Sequence, residues 1–427
     1  MADEDLVERL EHLDMSPRPR KLTNTKPTNL LEIDGRTLEG GGQLLRLSLT
    51  LFALTSRPVH ISNIRGKRKP KPGLKAQHLA CVQWLARACN ATVIGAEKGS
   101  TDLVFTPGKV NGNSPVYAKS TITGVWESEV AIGTAGSTGL LLQAILPFIL
   151  FSPPRNETGE AQTVRLTVSG GTNVSGAPSY DYIANVLLPT LANIGFPPIS
   201  ASLEKRGWSS GRESIGSFTL LIPPRPSGPL AAFRLCRQPN ETSPQPPSMI
   251  TAKLIAPPDL HQDFTDAVTS YVTWRFGEKH TLFHRNVTID CEASNSTAHV
   301  YILITATVTP SPSQPDVASY VLAADHLAER KVPPARQSKY VIDAVTRCVN
   351  ELCALWTSGA RADEHLRDQL VVFQALAEGR SEVFGGDERE ISLHARTAEW
   401  VAREILGVRC RDDGIEGIGF EGTRFDS

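Results

Sequence analysis

Two histidines near the C-terminal end of the 427-residue chain stand where an imidazole could meet a phosphate. His394 lies in Ile391-Ser392-Leu393-His394-Ala395-Arg396-Thr397, between a short apolar run and a helix continued by Ala398, Val401, Ala402 and Ile405. Junctions of this kind lie at the surface and often carry functional side chains. His365 opens a second helical stretch, Asp363-Glu364-His365-Leu366-Arg367-Asp368-Gln369-Leu370. A neutral imidazole offers a lone pair for nucleophilic attack or proton transfer. On residue type and spacing alone, a surface or capping role is the plainer reading of each.

Anion-binding chemistry is written nearer the other end. Glu39-Gly40-Gly41-Gly42-Gln43-Leu44-Leu45-Arg46 follows the strand-like Leu31-Glu32-Ile33 and opens an apolar-periodic helix. Glycines let a backbone approach a ligand closely, and a helix N-terminus turns its N–H groups and positive dipole end toward an anion. A tight turn that packs helix on sheet is the competing reading. Arg65, Lys67, Arg68, Lys69, Lys71 and Lys75 then come with no acidic residue among them. In a chain with 44 Lys and Arg against 45 Asp and Glu, so dense a patch is the best local candidate for phosphates. Gln77-His78-Leu79 starts a helix whose Leu79, Val82 and Leu85 are expected to face the core. Further Gly/Ser turns occur at Thr134–Gly139 and at Ser169–Asn173, the latter followed by Ala177-Pro178-Ser179-Tyr180-Asp181-Tyr182.

The elements that must hold these residues alternate. Short β-type runs such as Leu31–Ile33 and Val59–Ile61 interleave with helical segments such as Gln43–Leu54 and Gln77–Cys89, which argues for a layered α/β architecture. Gly41–Leu54, Ala135–Leu150 and Glu364–Ala377 share one form, a polar lead-in before a helix with Gln and spaced aliphatics, and suggest a repeated unit. Pro-rich stretches at 222–226, 239–247 and 310–315 interrupt the pattern and bracket an expected inserted domain, about 226–334, within a main domain of 29–225 and 335–427. Residues 1–28 read as a flexible leader with a small basic cluster. Hydrophobic residues make up 40% of the chain, enough for a sizeable core. The longest apolar stretch, Gly139–Phe151, is shorter than the roughly 18 residues a membrane span needs and reads as a buried helix. Seven cysteines, an odd number without a CxxC pair, point to reduced thiols, and the acidic start lacks a secretory signal, so an intracellular protein is expected.

In this order, EGGGQLLR, the Ile64-Arg65 basic block with PGL and QHL, AGSTGLLLQ, SGGT followed by AP, DEHLRDQL and SLHARTA resemble the RNA 3′-terminal phosphate cyclase family from about residue 30 to 425. The resemblance implies a repeated unit of a four-stranded sheet with two helices, plus a small inserted α/β domain. It implies an ATP-dependent closure of an RNA 3′-terminal phosphate into a 2′,3′-cyclic phosphate. His394 matches the nucleophile, which takes AMP from ATP as a histidine–AMP phosphoramidate before AMP passes to the RNA. Glu39, Arg46, Arg65, Arg68 and Gln77 match positions near the phosphates. His365, Asp368 and Gln369, with Pro178 and Asp181, match the surroundings of the nucleotide, and Asp368 either orients His394 or accepts a nucleotide hydroxyl. Mg²⁺ or Mn²⁺ is expected with ATP, because a hard cation suits triphosphate oxygens. Eukaryotic members of the family suggest nuclear residence; the resemblance fixes no oligomeric state.

The chain also departs from the family pattern. The basic block carries an extra residue near Pro70-Lys71, and Gly207–Gly216 replaces an aromatic-Pro-x-Gly-Gly-Gly stretch. Residues 226–334 match the family poorly. Non-catalytic relatives that act in ribosome biogenesis lack the histidine of SLHARTA, and enolpyruvyl-transferase-like enzymes, which share related repeats, need none.

Overall fold

The computed structural model describes residues 30–109, 114–121, 123–211, 213–237, 241, 244–277, 286–309, 319–412 and 414–422. The leader expected over 1–28 lies outside the described residues. Three sheets share one topology. In the first, β1 (Leu31–Asp34) runs parallel to β2 (Val59–Ser62), with β4 (Leu103–Thr106) and β3 (Thr92–Ile94) antiparallel beyond, in the order β1-β2-β4-β3. The second repeats it as β6 (Trp126–Ala131), β7 (Val164–Gly170), β9 (Gly216–Ile222) and β8 (Ser200–Lys205), with β5 (Ala118–Lys119) added at the edge. The third is β10 (Arg234–Leu235), β15 (Glu378–Val383), β17 (Gly414–Ile418) and β16 (Arg409–Arg411).

Parallel neighbours need a crossover, and a helix supplies it. α1 (Gly42–Thr55) and α3 (Thr138–Phe151) play that part in the first two sheets, and α7 (Glu364–Leu376) in the third. These are the three segments whose likeness the sequence showed. Each unit has a second helix: α2 (Ala76–Ala88), α4 (180–193, with a π turn at Ile183–Leu187) and α8 (Leu393–Leu406). α1 is buried on every side because it packs against α2, α3 and α8 at once, covering Leu44 to Leu54 without exception.

Between β10 and α7 a fourth sheet is inserted, ordered β12-β11-β13-β14 from β11 (Met249–Ala256), β12 (Val287–Ala293), β13 (Tyr301–Val308) and β14 (Tyr320–Leu327). One face carries α5 (His261–Gly277) and α6 (Gln337–Thr357), closing a core of its own around Phe264, Val268, Ile302, Ile304, Val345 and Leu352. α6 therefore belongs to this unit although it lies C-terminal to residue 334. The alternate residues Ile255, Tyr301, Leu303, Val321 and Ala323 join the main core instead. Burial on both faces explains why Tyr301–Val308 is a nearly continuous apolar run. All seven cysteines are free thiols. Among the described residues no helix is long and apolar enough to cross a membrane.

Candidate active site

The first turns of five helices, α1, α2, α3, α7 and α8, open onto one cleft of about 870 Å³. Helix N-termini converging on a space favour an anion there. The cleft is lined by Glu39, Arg46, Arg65, Arg68, Gln77, Pro178, His365, Asp368, Gln369 and His394, so ten residues spread over more than 350 positions meet.

At the start of α1, space decides the residue type. A Cβ on Gly42 would lie 2.6 Å from Arg46 Nη1 and 2.7 Å from His78 Nε2, so these two side chains reach the cleft only past a glycine. Arg46 is buried and aimed by two amides: Nε donates to Gln143 Oε1 at 2.8 Å and Nη2 to Gln43 Oε1 at 2.9 Å. Burial pulls its pKa down, and it carries no carboxylate hydrogen bond among the described residues, which leaves the remaining guanidinium donors for a ligand. Glu39 is buried, accepts from the Gly41 N–H at 2.7 Å and pairs with Arg68. Gln77 Oε1 accepts from the Ser137 N–H at 3.0 Å, tying α2 to the start of α3.

A further part of the lining is basic. Arg65, Arg68, Lys69, Lys71 and Lys75 all line it. Arg65 serves partly as scaffold, since its Nη1 donates to the carbonyls of Lys71 and Gly73, both at 3.0 Å, and so folds the basic loop back on itself. Burial lowers the pKa of Lys75, with Arg65, Arg68 and Lys71 adding like-charge repulsion. Such mutual repulsion is relieved by a polyanion.

Three imidazoles reach the cleft, and they differ in charge and in hydrogen bonding. His78 is buried, its Nδ1 accepts from the Lys75 N–H at 3.1 Å, and burial beside Arg46 and Arg65 holds its pKa well below 6.5. It is therefore neutral with its proton on Nε2. His365 is raised: burial opposes its charge, but the carboxylates of Asp363, Asp325, Asp368 and Glu364 prevail. His394 sits in the first turn of α8, behind the N-cap Ser392, whose Oγ accepts from the Ala395 N–H at 3.0 Å. Burial, reinforced by Arg46 and Arg68 against Glu39, lowers its pKa. Its ring makes no hydrogen bond to another described residue.

Asp368 is half-buried, and desolvation pushes its pKa up to about 7, against His365 and Arg46. Its hydrogen-bond partner is Gln143 Nε2, at 3.4 Å, rather than His394. Asp181 stands apart from the cleft. Its two oxygens take Arg206 Nη1 at 2.5 Å and Nη2 at 3.0 Å, and the same guanidinium reaches Glu292 of the inserted sheet at 2.7 and 2.8 Å. The rebuilt loop also turns toward the inserted unit: Trp208 is buried and stacks on His299, centroids 4.6 Å apart.

Sequence reasoning passed over His78, Gln43, Gln143 and Glu364, which line the same cleft. The helical period predicts Leu79 inward; Leu79 is only half-buried, and His78 takes the inward position. The clue available was the polar residue itself, at a spacing of four from Val82 within an apolar face.

Comparison with known proteins follows the same span. A model of the family described as RNA 3′-terminal phosphate cyclase matches residues 37–411. Proteins named RNA 3′-terminal phosphate cyclase are similar from Methanosarcina barkeri (strain Fusaro / DSM 804), 29% identical over 91% of this chain and 98% of its own, and from Methanopyrus kandleri, 31% identical over 91% and 97%. One from Pyrococcus furiosus is 43% identical over 39% of this chain and 42% of its own.

Proposed function

The chain belongs to the RNA 3′-terminal phosphate cyclase family, and on that premise we propose that it closes RNA 3′-phosphate ends to 2′,3′-cyclic phosphates at the expense of ATP, with His394 as nucleophile. The observation that carries the assignment is the difference among the three imidazoles. A nucleophile needs an unprotonated, uncommitted nitrogen. His365 is biased toward the cation, and the free lone pair of His78 already accepts the Lys75 N–H. Of the three, His394 alone is biased toward the neutral form and free of hydrogen bonds to the described residues.

In this reading a nitrogen of His394 attacks the α-phosphorus of ATP and pyrophosphate leaves, forming a P–N bond. A phosphate oxygen of the RNA end then displaces the imidazole, giving an RNA–adenylate with a good leaving group. The 2′-hydroxyl attacks the terminal phosphorus, loses its proton and expels AMP. Arg46 and the basic wall would neutralise charge on the nonbridging oxygens of the triphosphate. Asp368, at its position beside Gln143, is suited to a nucleotide hydroxyl better than to orienting His394. Among the described residues no three His, Cys, Asp or Glu side chains are grouped to hold a metal. Mg²⁺ or Mn²⁺ would therefore arrive with ATP and be held chiefly by phosphate oxygens and water, as Mg²⁺ commonly is.

The test is an RNA oligonucleotide with a 3′-phosphate, incubated with protein and ATP and then with phosphatase. Phosphatase-resistant ends, absent without ATP and absent with a 3′-hydroxyl RNA, are expected. Ends that stay phosphatase-sensitive would oppose the reading.

A further inference from the structure

A second cavity, of about 630 Å³, borders the cleft. The two share Val174, Ser175, Gly176, Ala177 and His365 as walls, and the far side of the second is built by the inserted unit. Arg330, Lys331, Arg336 and Arg347 line it, and among the described residues none of the four is paired with a carboxylate. Arginines elsewhere on the surface are commonly paired, as in Arg36–Asp34, Arg237–Asp387 and Arg389–Glu351. The carboxylates in the cavity are committed: Glu329 Oε1 accepts from Ser175 Oγ at 3.0 Å, and Asp325 Oδ2 accepts from Tyr301 Oη at 3.0 Å. Asn173, a fully buried residue, also borders the cavity, and its Nδ2 donor has no hydrogen-bond partner among the described residues.

The cavity also holds two neighbouring rings whose planes are tilted by 49°. His326 and Tyr340 lie with ring centroids 5.5 Å apart. His326 Nε2 lies 2.7 Å from Tyr340 Oη and 3.3 Å from Arg347 Nη2; a guanidinium can only donate, so that nitrogen is the acceptor of a neutral ring, shared by the two donors. Burial, with Arg347 adding to it, brings the pKa of His326 down to about 4, consistent with that state. Arg347 is thereby held against the wall with its other N–H groups open. Unpaired cations beside aromatic rings, next to a site for a strand end, are the ingredients of a single-stranded nucleic-acid groove.

We propose that this cavity seats the nucleotides immediately 5′ of the reacting RNA end, with their phosphodiesters on Arg330, Lys331, Arg336 and Arg347 and a base against Tyr340. It would make the protein a reader of strands rather than of nucleoside 3′-phosphates. The direction of the strand rests on the cyclase reading of the cleft; the binding of RNA here does not.

Anisotropy of a 5′-labelled hexaribonucleotide 3′-phosphate, titrated with the full chain without ATP across a salt series, tests it. Arg336→Glu/Arg347→Glu should weaken binding about tenfold or more at low salt and flatten the log–log salt slope by about 0.7 for each phosphate no longer neutralised. Lys331→Glu, on an exposed loop, should act in the same direction more weakly, which separates weaker phosphate binding from a damaged fold. Labelling of the protein by ATP should be unchanged in both variants. Unchanged hexamer affinity and salt slope would overturn the proposal, as would a face that captures a protein and has no affinity for RNA. Equal kcat/KM on the hexamer and on a nucleoside 3′-phosphate would remove the subsite while leaving the cyclase reading intact. Hexamer binding through these residues without any cyclic product would do the reverse.

Discussion

At the residue scale, the cleft separates otherwise similar side chains by their surroundings. His394 stays neutral because burial and two guanidiniums outweigh Glu39, whereas four carboxylates draw a proton onto His365. Labelling of the protein with the α-phosphate of ATP should therefore be level from about pH 7 upward and decline only below 6.5, as His394 takes up a proton. A rise centred near pH 8 would contradict the state assigned to it. Asp368 gives a stability prediction. Its folded pKa of about 7 lies above its ordinary 3.8, so its contribution is intact below about pH 4 and is lost as the pH rises toward 7. Asn keeps the acceptor for Gln143 without the charge. Asp368→Asn should thus melt above the wild type at about pH 8 and level with it at about pH 4; an equal gap at both would refute the burial argument. A glycine turn and a basic block announce anion chemistry locally, whereas His394, His365, Asp368 and Gln369 were placed in the site only by the family resemblance, since their own spacing reads equally well as that of capping or surface residues. Asp181, also named by the resemblance, does not line the cleft and is paired instead with Arg206, 25 residues later, which reaches Glu292 another 86 residues on. No local signal records such a pair.

At the scale of elements, the site is a meeting of helix starts, and its precision depends on how closely they approach. Gly139, in the first turn of α3, packs so tightly on the carbonyl of Pro178 that a Cβ would collide with backbone. Gly139→Ala should cost about 1–3 kcal/mol in stability by overpacking and weaken ATP binding by displacing Pro178, checked by denaturant melts and calorimetry. An alanine variant with wild-type stability and affinity would mean that the loop yields freely. The three crossover helices were recognisable from the sequence because each repeats a polar lead-in before an apolar face. The third sheet was not, since β10 is only two residues long and the inserted unit separates it from its own crossover helix. A strand that short leaves no periodicity to read.

At the scale of the whole molecule, a near-neutral chain sets six of its lysines and arginines around one hollow framed by the repeats and four around an adjoining one closed by the inserted sheet. Arg206 joins these bodies, with Asp181 on one side and Glu292 on the other. Removing one partner of a buried pair leaves an uncompensated charge, so Arg206→Ala should lower stability by roughly 3 kcal/mol. Asp181→Ala, which leaves Arg206 its second carboxylate, should lower it less. Thermal melts of the two variants decide this, and a reversed order would contradict the bridge. The central claim, that His394 carries AMP, is tested most directly by incubating the full chain with Mg²⁺ and ATP radiolabelled at the α-phosphate, beside His394→Ala. Acid-labile, alkali-stable label on the wild type and none on the variant is the predicted result; label that persists in the variant, or a folded wild type that takes none, would contradict it.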